Sequence, residues 1–196
     1  MLNTFSENSL RVLEKSLEEY KEKYIDNLSI FKKDDRAILG QKFHSLICQY
    51  IKGFDVSKII MELNEAEIKI WQKLEEKLKE KKNNFIETEY PFLIKESLDL
   101  SGQVYFLTGR FDAVYQENDN YIIYDWKTLN LPKNPKTDLQ SVVYLFCASK
   151  IYSPKVKIRY LSIEKLDFVD VEFENEKVYK DRIEKIILKL FNNQID

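Results

Sequence analysis

One β-hairpin that the sequence predicts constrains this chain more than any other segment. Strands are predicted over residues 105–116 and 121–127, and a polar turn joins them. If the hairpin is symmetric about its turn, Asp112 lies directly opposite Asp125. Opposed like charges destabilise a sheet, and a divalent cation between the carboxylates would account for the pair. Because strand side chains alternate between faces, Lys127 shares the face of Asp125. The hairpin therefore offers two carboxylates and an ammonium to one site.

The same register makes further predictions about the hairpin. It places Val114 opposite Ile123 and Arg110 opposite Lys127. The other face carries mainly apolar side chains, which suits packing against helices: Phe111, Ala113, Tyr115, Ile122, Tyr124 and Trp126. An exposed hairpin face, on which a lysine compensates a repulsive acidic pair, is the structural alternative. The apolar run at 121–124 argues against it, because the charged residues then continue a core strand.

The order of predicted elements indicates a mixed α/β fold, an α+β arrangement with a central mixed sheet flanked by helices. With 196 residues, the chain is long enough for one substantial core and short for two. We therefore expect a single domain over 1–196, mainly helical over 1–84, with a sheet core and flanking helices over 85–196. Helices are predicted over 7–26, 35–52, 57–82, 138–149 and 176–192, and strands over 85–94, 105–116, 121–127, 156–163 and 168–173. The regular strand–helix alternation and the Gly-rich turn of a dinucleotide-binding fold are missing.

Composition and the first residues of the sequence predict the cellular compartment. No run of about 18 apolar residues occurs, so no membrane-spanning helix is expected. Residues 1–7 lack the basic start and apolar stretch of a signal peptide, which predicts a cytoplasmic protein with no membrane association. Cys48 and Cys147 both lie in apolar helical patterns, so we expect two buried free thiols rather than a disulfide.

The charge distribution is uneven along the chain. A net charge of −2 does not by itself indicate a nucleic-acid-binding protein. Residues 127–160, however, hold seven basic side chains against one acidic residue, Asp138. This basic excess directly follows the predicted site. A solvated surface unrelated to binding is the alternative.

Four short motifs follow one another along the chain. They are Gly40…His44, Gly109…Asp112, Asp125…Lys127 and Gln140…Tyr144. Their order and spacing resemble the RecB-like branch of the PD-(D/E)XK nuclease superfamily, whose motifs are G-x-x-x-H, G-x-x-D, D/E-x-K and Q-x-x-x-Y. Glu89 is similar to the acidic position that this family has before the hairpin. The resemblance covers about residues 5–145, and it implies a restriction-endonuclease-like core.

The resemblance implies a role for each matched residue. The implied metal ligands are Asp112, Asp125, His44 and the backbone carbonyl of Trp126, with Glu89 as a further carboxylate near the metal or for a second metal. Lys127 would position or deprotonate the attacking water, or stabilise the developing charge. Gln140 and Tyr144 would orient Lys127 or contact a substrate phosphate.

Each of these residues also has a structural alternative. A lone histidine on an apolar helix, such as His44, is often a core residue with its hydrogen bonds satisfied. Gln140 and Tyr144 would otherwise be helix-surface residues, and Glu89 a solvent-facing strand residue. The donor types nevertheless suit one chemistry, because an oxygen-rich site with one imidazole favours Mg²⁺ or Mn²⁺ over Zn²⁺.

The implied activity is hydrolysis of DNA by a Mg²⁺- or Mn²⁺-dependent nuclease that acts in repair, recombination or processing of foreign DNA. The implied partners are single- or double-stranded DNA and a separate helicase or repair subunit, since the chain has no G-x-x-x-x-G-K-[ST] motif. Three alternatives stay open. The chain could be a catalytically silent nucleic-acid-binding or scaffolding module on the same fold, a subunit active only within a complex, or a nuclease acting on RNA.

The chain departs from many relatives of this branch near its N-terminus. In those relatives, a cysteine of this segment and three near the C-terminus hold an iron–sulfur cluster. Ser16 stands at the corresponding position here, and the chain has no C-terminal cysteine cluster. The sequence therefore predicts no iron–sulfur cluster.

Overall fold

The computed structural model of the chain is built on a six-stranded mixed sheet. It describes residues 3–26, 28, 35–128, 130–152 and 154–192, without the side chains of residues 35–37 and 192. The strands are β1 Thr4–Ser6, β2 Phe85–Ser97, β3 Val104–Glu117, β4 Asn120–Lys127, β5 Val156–Ser162 and β6 Phe168–Glu172. The α-helices are α1 Glu7–Lys15, α2 Leu17–Tyr20, α3 Asp35–Ile51, α4 Ser57–Met61, α5 Glu65–Lys79, α6 Leu139–Ile151 and α7 Glu176–Asn192. The predicted mixed α/β fold with a central sheet and flanking helices is confirmed.

Long β3 organises the sheet. It pairs with β2 and β4 in antiparallel fashion and with β1 in parallel, while β4 continues to β5 and β6. The predicted hairpin register is confirmed by the pair Val114–Ile123. The β3–β4 ladder ends at Ala113 and Tyr124, whereas the β4–β5 ladder runs from Tyr121 to Lys127. The two pairs predicted beyond that point, Asp112 with Asp125 and Arg110 with Lys127, are therefore not part of the observed ladder.

Two hydrophobic clusters cover the two faces of the sheet. One cluster joins α1, α6 and α7 to the sheet and includes Leu10, Phe146 and Ile187. The other joins α3 and α5 to the opposite face and includes Phe43 and Trp71. The site residues described below lie where α3 and α6 approach the middle of β3 and the C-terminal end of β4.

The side-chain alternation of the central strands is interrupted beside the site. The predicted apolar face packs against α3 and α5 except for Phe111, which belongs to the cluster on the other face. In β2, Tyr90 packs with Phe111, whereas Thr88 bonds to Cys48 of α3. Between these two residues, Glu89 has a φ of 55°, in the left-handed region. This left-handed residue accounts for the change of face within β2, and the paired residues Phe111 and Ala113 of β3 change face at the same level.

Two predicted helices are each interrupted at a polar residue. Predicted helix 7–26 breaks at Ser16, whose hydroxyl accepts a hydrogen bond from the Glu19 amide and starts α2. Predicted helix 57–82 is two helices, because Asn64 and Glu67 form a capping box that begins α5.

Two further expectations about the chain concern its thiols and membrane helices. Cys48 and Cys147 are both free thiols; Cys147 is buried, whereas Cys48 is half-buried. Within the part of the chain that the structure describes, no helix combines the length and apolar character needed to cross a membrane.

Candidate active site

His44 lies where α3 meets the end of β4. Its Nε2 donates a hydrogen bond to the Trp126 carbonyl oxygen over 2.8 Å, because that oxygen can only accept. Its Nδ1 lies 3.5 Å from Asp112 Oδ1. Gly40, one turn earlier, permits this approach, since a Cβ there would lie 3.0 Å from Thr128 Oγ1. The first two predicted motifs therefore meet in space.

Asp112 lies just beyond the last hairpin pair. Its Oδ2 accepts a hydrogen bond of 2.8 Å from the Trp126 amide, which takes the place of a ladder bond. Its carboxylate also belongs to a group of three side chains, His44, Glu89 and Asp112, each with a ligand atom within 4.8 Å of the others. Two carboxylates and one imidazole are thus gathered from α3, β2 and β3.

Asp125 is buried among partners of its own, with 4% of its surface exposed. Its Oδ1 accepts a hydrogen bond of 2.6 Å from Gln140 Nε2. Its Oδ2 lies 2.7 Å from Lys127 Nζ, yet it has no hydrogen-bond partner of adequate geometry. A buried oxygen in this state is costly unless another partner binds it.

Gln140 connects Asp125 to Lys127. While its Nε2 donates to Asp125, its Oε1 accepts a hydrogen bond of 2.8 Å from Lys127 Nζ. Both ends of the amide are used, so its orientation is fixed. The Lys127 ammonium also lies 5.5 Å from the ring centre of Tyr160. Lys127 is therefore held in one place at the rim of the site.

The acidic groups perturb one another electrostatically. Burial raises the pKa of Asp125 to about 6, and the charge of Asp112 adds to this effect, while Lys127 and His44 oppose it. Burial would lower the pKa of His44, but its hydrogen bond to Asp112 and the charge of that carboxylate outweigh burial, so the pKa is raised. The negative charge of Asp112 contributes to both pKa shifts, although burial is the largest cause for Asp125.

Tyr144 contacts strand β3 and does not line the groove described below. Its hydroxyl donates a hydrogen bond of 3.0 Å to the Arg110 carbonyl, and its ring packs edge-on against Phe111 at 5.3 Å. Burial raises the pKa of Tyr144, which keeps the hydroxyl a neutral donor. The two implied helix residues are neighbours with different main partners, Lys127 for Gln140 and the Arg110 carbonyl for Tyr144.

A groove of about 510 Å³ opens beside the three-residue donor group. Gln41, Ser45 and Gln49 of α3 line one wall, and Glu89 and Arg110 line the rim. No motif in the sequence predicted this groove. Its signal was present, because three uncharged polar residues at intervals of four lie on one helix face.

The donor atoms present fit a hard divalent cation. His44, Glu89 and Asp112 supply an imidazole and two carboxylates close together, and the buried Oδ2 of Asp125 lacks a hydrogen-bond partner. Oxygen-rich donor sets of this kind suit Mg²⁺ and Mn²⁺.

The left-handed backbone of Glu89 has a measurable consequence for stability. Glu89→Gly and Glu89→Ala both remove the carboxylate, but only glycine adopts a φ of 55° without steric cost. We expect the glycine variant to be more stable than the alanine variant by about 1 kcal/mol in urea unfolding. At Lys95, a regular β2 position paired with Phe106, the alanine variant should instead be more stable than the glycine variant. Equal stabilities of the two Glu89 variants would show that the backbone relaxes freely.

The raised pKa of Asp125 predicts how stability depends on pH in metal-free protein. Between the ordinary aspartate pKa of about 4 and the folded value of about 6, the folded state keeps a proton that the unfolded chain has lost. The contribution of Asp125 is therefore fully present below pH of about 4 and is lost as pH rises through about 6, by about 2–3 kcal/mol. Urea unfolding in the presence of a chelator, repeated at several pH values, measures the free energy of unfolding. As pH rises, the wild type should lose this amount of stability relative to Asp125→Asn. If stability depends on pH in the same way in both proteins, the pKa of Asp125 is not raised.

Comparisons with known proteins agree with this architecture. The sequence profile of the PD-(D/E)XK nuclease superfamily matches residues 4–194. None of the curated proteins compared with the chain matches it. The crystal structure of SSO0001 matches with a TM-score of 0.54 and 21% identity, over 96% of this chain and 76% of that one. The crystal structure of a candidate exonuclease from Eubacterium rectale matches with a TM-score of 0.56 and 10% identity, over 99% and 83% respectively.

At these identities, the two solved structures show a shared fold. The family match carries more weight, because it extends from β1 to the C-terminal helix and includes all the residues gathered at the site. We conclude that the chain belongs to the PD-(D/E)XK nuclease superfamily.

Proposed function

We propose that this chain is a nuclease of the RecB-like branch that hydrolyses phosphodiester bonds in DNA and depends on Mg²⁺ or Mn²⁺. One observation carries the proposal: the donor group of His44, Glu89 and Asp112 lies beside a buried carboxylate to which a lysine is fixed. A cation-binding group and a positioned ammonium can both stabilise the charge that develops in metal-dependent phosphodiester hydrolysis.

The proposed metal ligands are Asp112, His44 and Glu89, with the Trp126 carbonyl and Asp125 Oδ2, which also contacts Lys127, at the edge of the group. When bound, the cation would neutralise charge on the phosphoryl oxygens and lower the pKa of a bound water. The His44–Trp126 hydrogen bond and the Asp112–Trp126 hydrogen bond hold these donors in place before any substrate arrives.

Lys127 is the proposed catalytic group of the chain. Held by Asp125 and Gln140, its ammonium would orient the attacking water or stabilise charge that develops on the phosphate. Gln140 acts through Lys127 and is therefore a positioning residue. Tyr144 is also a positioning residue, through the β3 backbone.

The choice of DNA rests on the motif pattern and on local charge. Lys133 and Lys136 are exposed in the segment between β4 and α6, which joins Lys127 to Gln140 directly. Exposed lysines next to a cleavage site suit the sugar–phosphate backbone. The similar structure from Eubacterium rectale, described as a candidate exonuclease, is consistent with nuclease activity. Cytoplasmic action in repair, recombination or foreign-DNA processing, together with a separate helicase or repair subunit, completes the proposal.

A gel assay of the purified protein tests this function. Labelled single-stranded, duplex and flap DNA and a matched RNA would be incubated with Mg²⁺, with Mn²⁺ and with a chelator. We expect shortened DNA products with either metal and none with the chelator. Cleavage of RNA alone would reassign the substrate. Binding without cleavage would favour the catalytically silent module, and cleavage only after adding a partner would favour a subunit of a complex.

A further inference from the structure

Arg110 stands at the rim of the groove beside the proposed metal ligands. Its side chain is 62% exposed, and its Nε lies 2.8 Å from Glu89 Oε2. Glu89 is only 24% exposed and belongs to the donor group with His44 and Asp112. One carboxylate therefore serves both as the partner of a guanidinium and as a candidate metal ligand.

These two uses of Glu89 oppose each other. A divalent cation bound to the carboxylate neutralises the charge that attracts Arg110, and it repels the guanidinium directly. In the absence of the cation, Arg110 supplies the compensating charge. The ion pair and the metal site are thus alternatives at one side chain.

Glu89 does not need Arg110 to keep its position. Its backbone is fixed in the left-handed region between Thr88 and Tyr90, which pair with β3 on either side. Arg110, in contrast, is mostly exposed and free to turn into the groove. The planar guanidinium matches phosphate oxygens in a way that a lysine does not.

We propose that Arg110 is a phosphate-binding residue that is paired with Glu89 in the metal-free protein and released to the substrate backbone when a divalent cation occupies Glu89. The inference rests on the proposed function and adds a coupling between metal binding and nucleic-acid binding to it. Because the coupling is reciprocal, a change at Arg110 must also alter metal affinity.

The test measures both affinities in the same variants. All proteins carry Lys127→Ala so that a short fluorescein-labelled oligodeoxynucleotide stays intact, which a gel verifies. Anisotropy gives DNA affinity in Mn²⁺ and in chelator, and calorimetry gives Mn²⁺ affinity. Arg110→Ala is compared with Lys95→Ala, which removes one exposed positive charge from neighbouring β2.

With Mn²⁺, Arg110→Ala should weaken DNA binding by about tenfold and reduce the salt dependence by the equivalent of about one phosphate contact. In chelator, it should match the Lys95→Ala control. The same variant should bind Mn²⁺ about two- to fivefold more tightly, because a competitor for Glu89 is gone. Glu89→Gln should weaken Mn²⁺ binding and strengthen metal-free DNA binding more than Glu87→Gln does.

The direction in which Arg110→Ala changes Mn²⁺ affinity distinguishes this proposal from a merely structural role of Arg110. Weaker Mn²⁺ binding in Arg110→Ala would mean that Arg110 braces Glu89, and it would overturn the proposal. An equal loss of DNA affinity with and without Mn²⁺ would also overturn it. If Asp112→Asn binds Mn²⁺ as well as the unchanged protein does, the proposed metal-dependent function itself is wrong, whereas cleavage by Lys127→Ala at the wild-type rate would remove only Lys127 from its proposed role.

Discussion

Replacing Asp112 with asparagine should lower metal-dependent DNA cleavage by at least about a thousandfold, which corresponds to about 4 kcal/mol of lost transition-state stabilisation. Asparagine keeps the shape of the side chain, and its oxygen can still accept the Trp126 amide hydrogen bond. A neutral amide is nevertheless a much weaker ligand for a hard cation, and the charge beside His44 and Glu89 is lost. Initial rates in saturating Mg²⁺ and Mn²⁺ measure the effect.

Asp119→Asn is the matched control for this variant. Asp119 is an exposed residue in the turn of the same hairpin, so the same chemical change there should leave the rate unaltered. Circular dichroism and urea unfolding of both variants would verify the fold. A rate for Asp112→Asn within about tenfold of wild type would remove Asp112 from the proposed metal site.

Lys127→Ala should reduce the cleavage rate by about 10²–10⁴-fold, the usual range for a positioned proton-transfer or charge-stabilising group. The ammonium interacts with Asp125 and Gln140 at the rim of the site, with 30% of the side chain exposed, so substrate can reach it. Because Lys127 is not a ligand in this account, Mn²⁺ affinity should be retained. The loss should therefore appear in kcat measured at saturating metal.

Lys133→Ala removes an exposed lysine from the segment that follows and serves as the control for charge. It should change kcat by less than about twofold and act mainly on DNA affinity. If Lys127→Ala instead raised KM and left kcat unchanged, Lys127 would be a substrate-binding residue and not a catalytic one.

Local sequence signals predicted much of the fold. The hairpin register followed from the alternation of side chains and the polar turn, and the pair Val114–Ile123 confirms it. Asn64 and Glu67 match a capping box and could have predicted the start of α5. The helical spacing of apolar residues on both sides instead predicted one continuous helix. Strand β1 had none, because three residues paired in parallel with distant Phe106–Thr108 leave no local pattern.

The candidate site was predictable in its members and less so in its arrangement. The motif order indicated that His44 and the end of β4 meet, and that Gln140 reaches Lys127. The grouping of Asp112 with Glu89 depends on a left-handed residue within a strand, which glutamate does not signal. Phe111, which pairs with Tyr90 next to this residue, packs on the other face, where strict alternation did not place it.

The location of the metal tests the central claim most directly. Crystals of the protein soaked in Mn²⁺ would be measured at a wavelength where manganese scatters anomalously. We expect one strong peak within about 2.5 Å of carboxylate oxygens of Asp112 and Glu89, and next to His44 and Asp125. A peak elsewhere, or none while Arg110 still pairs with Glu89 and Lys127 with Asp125, would contradict the account.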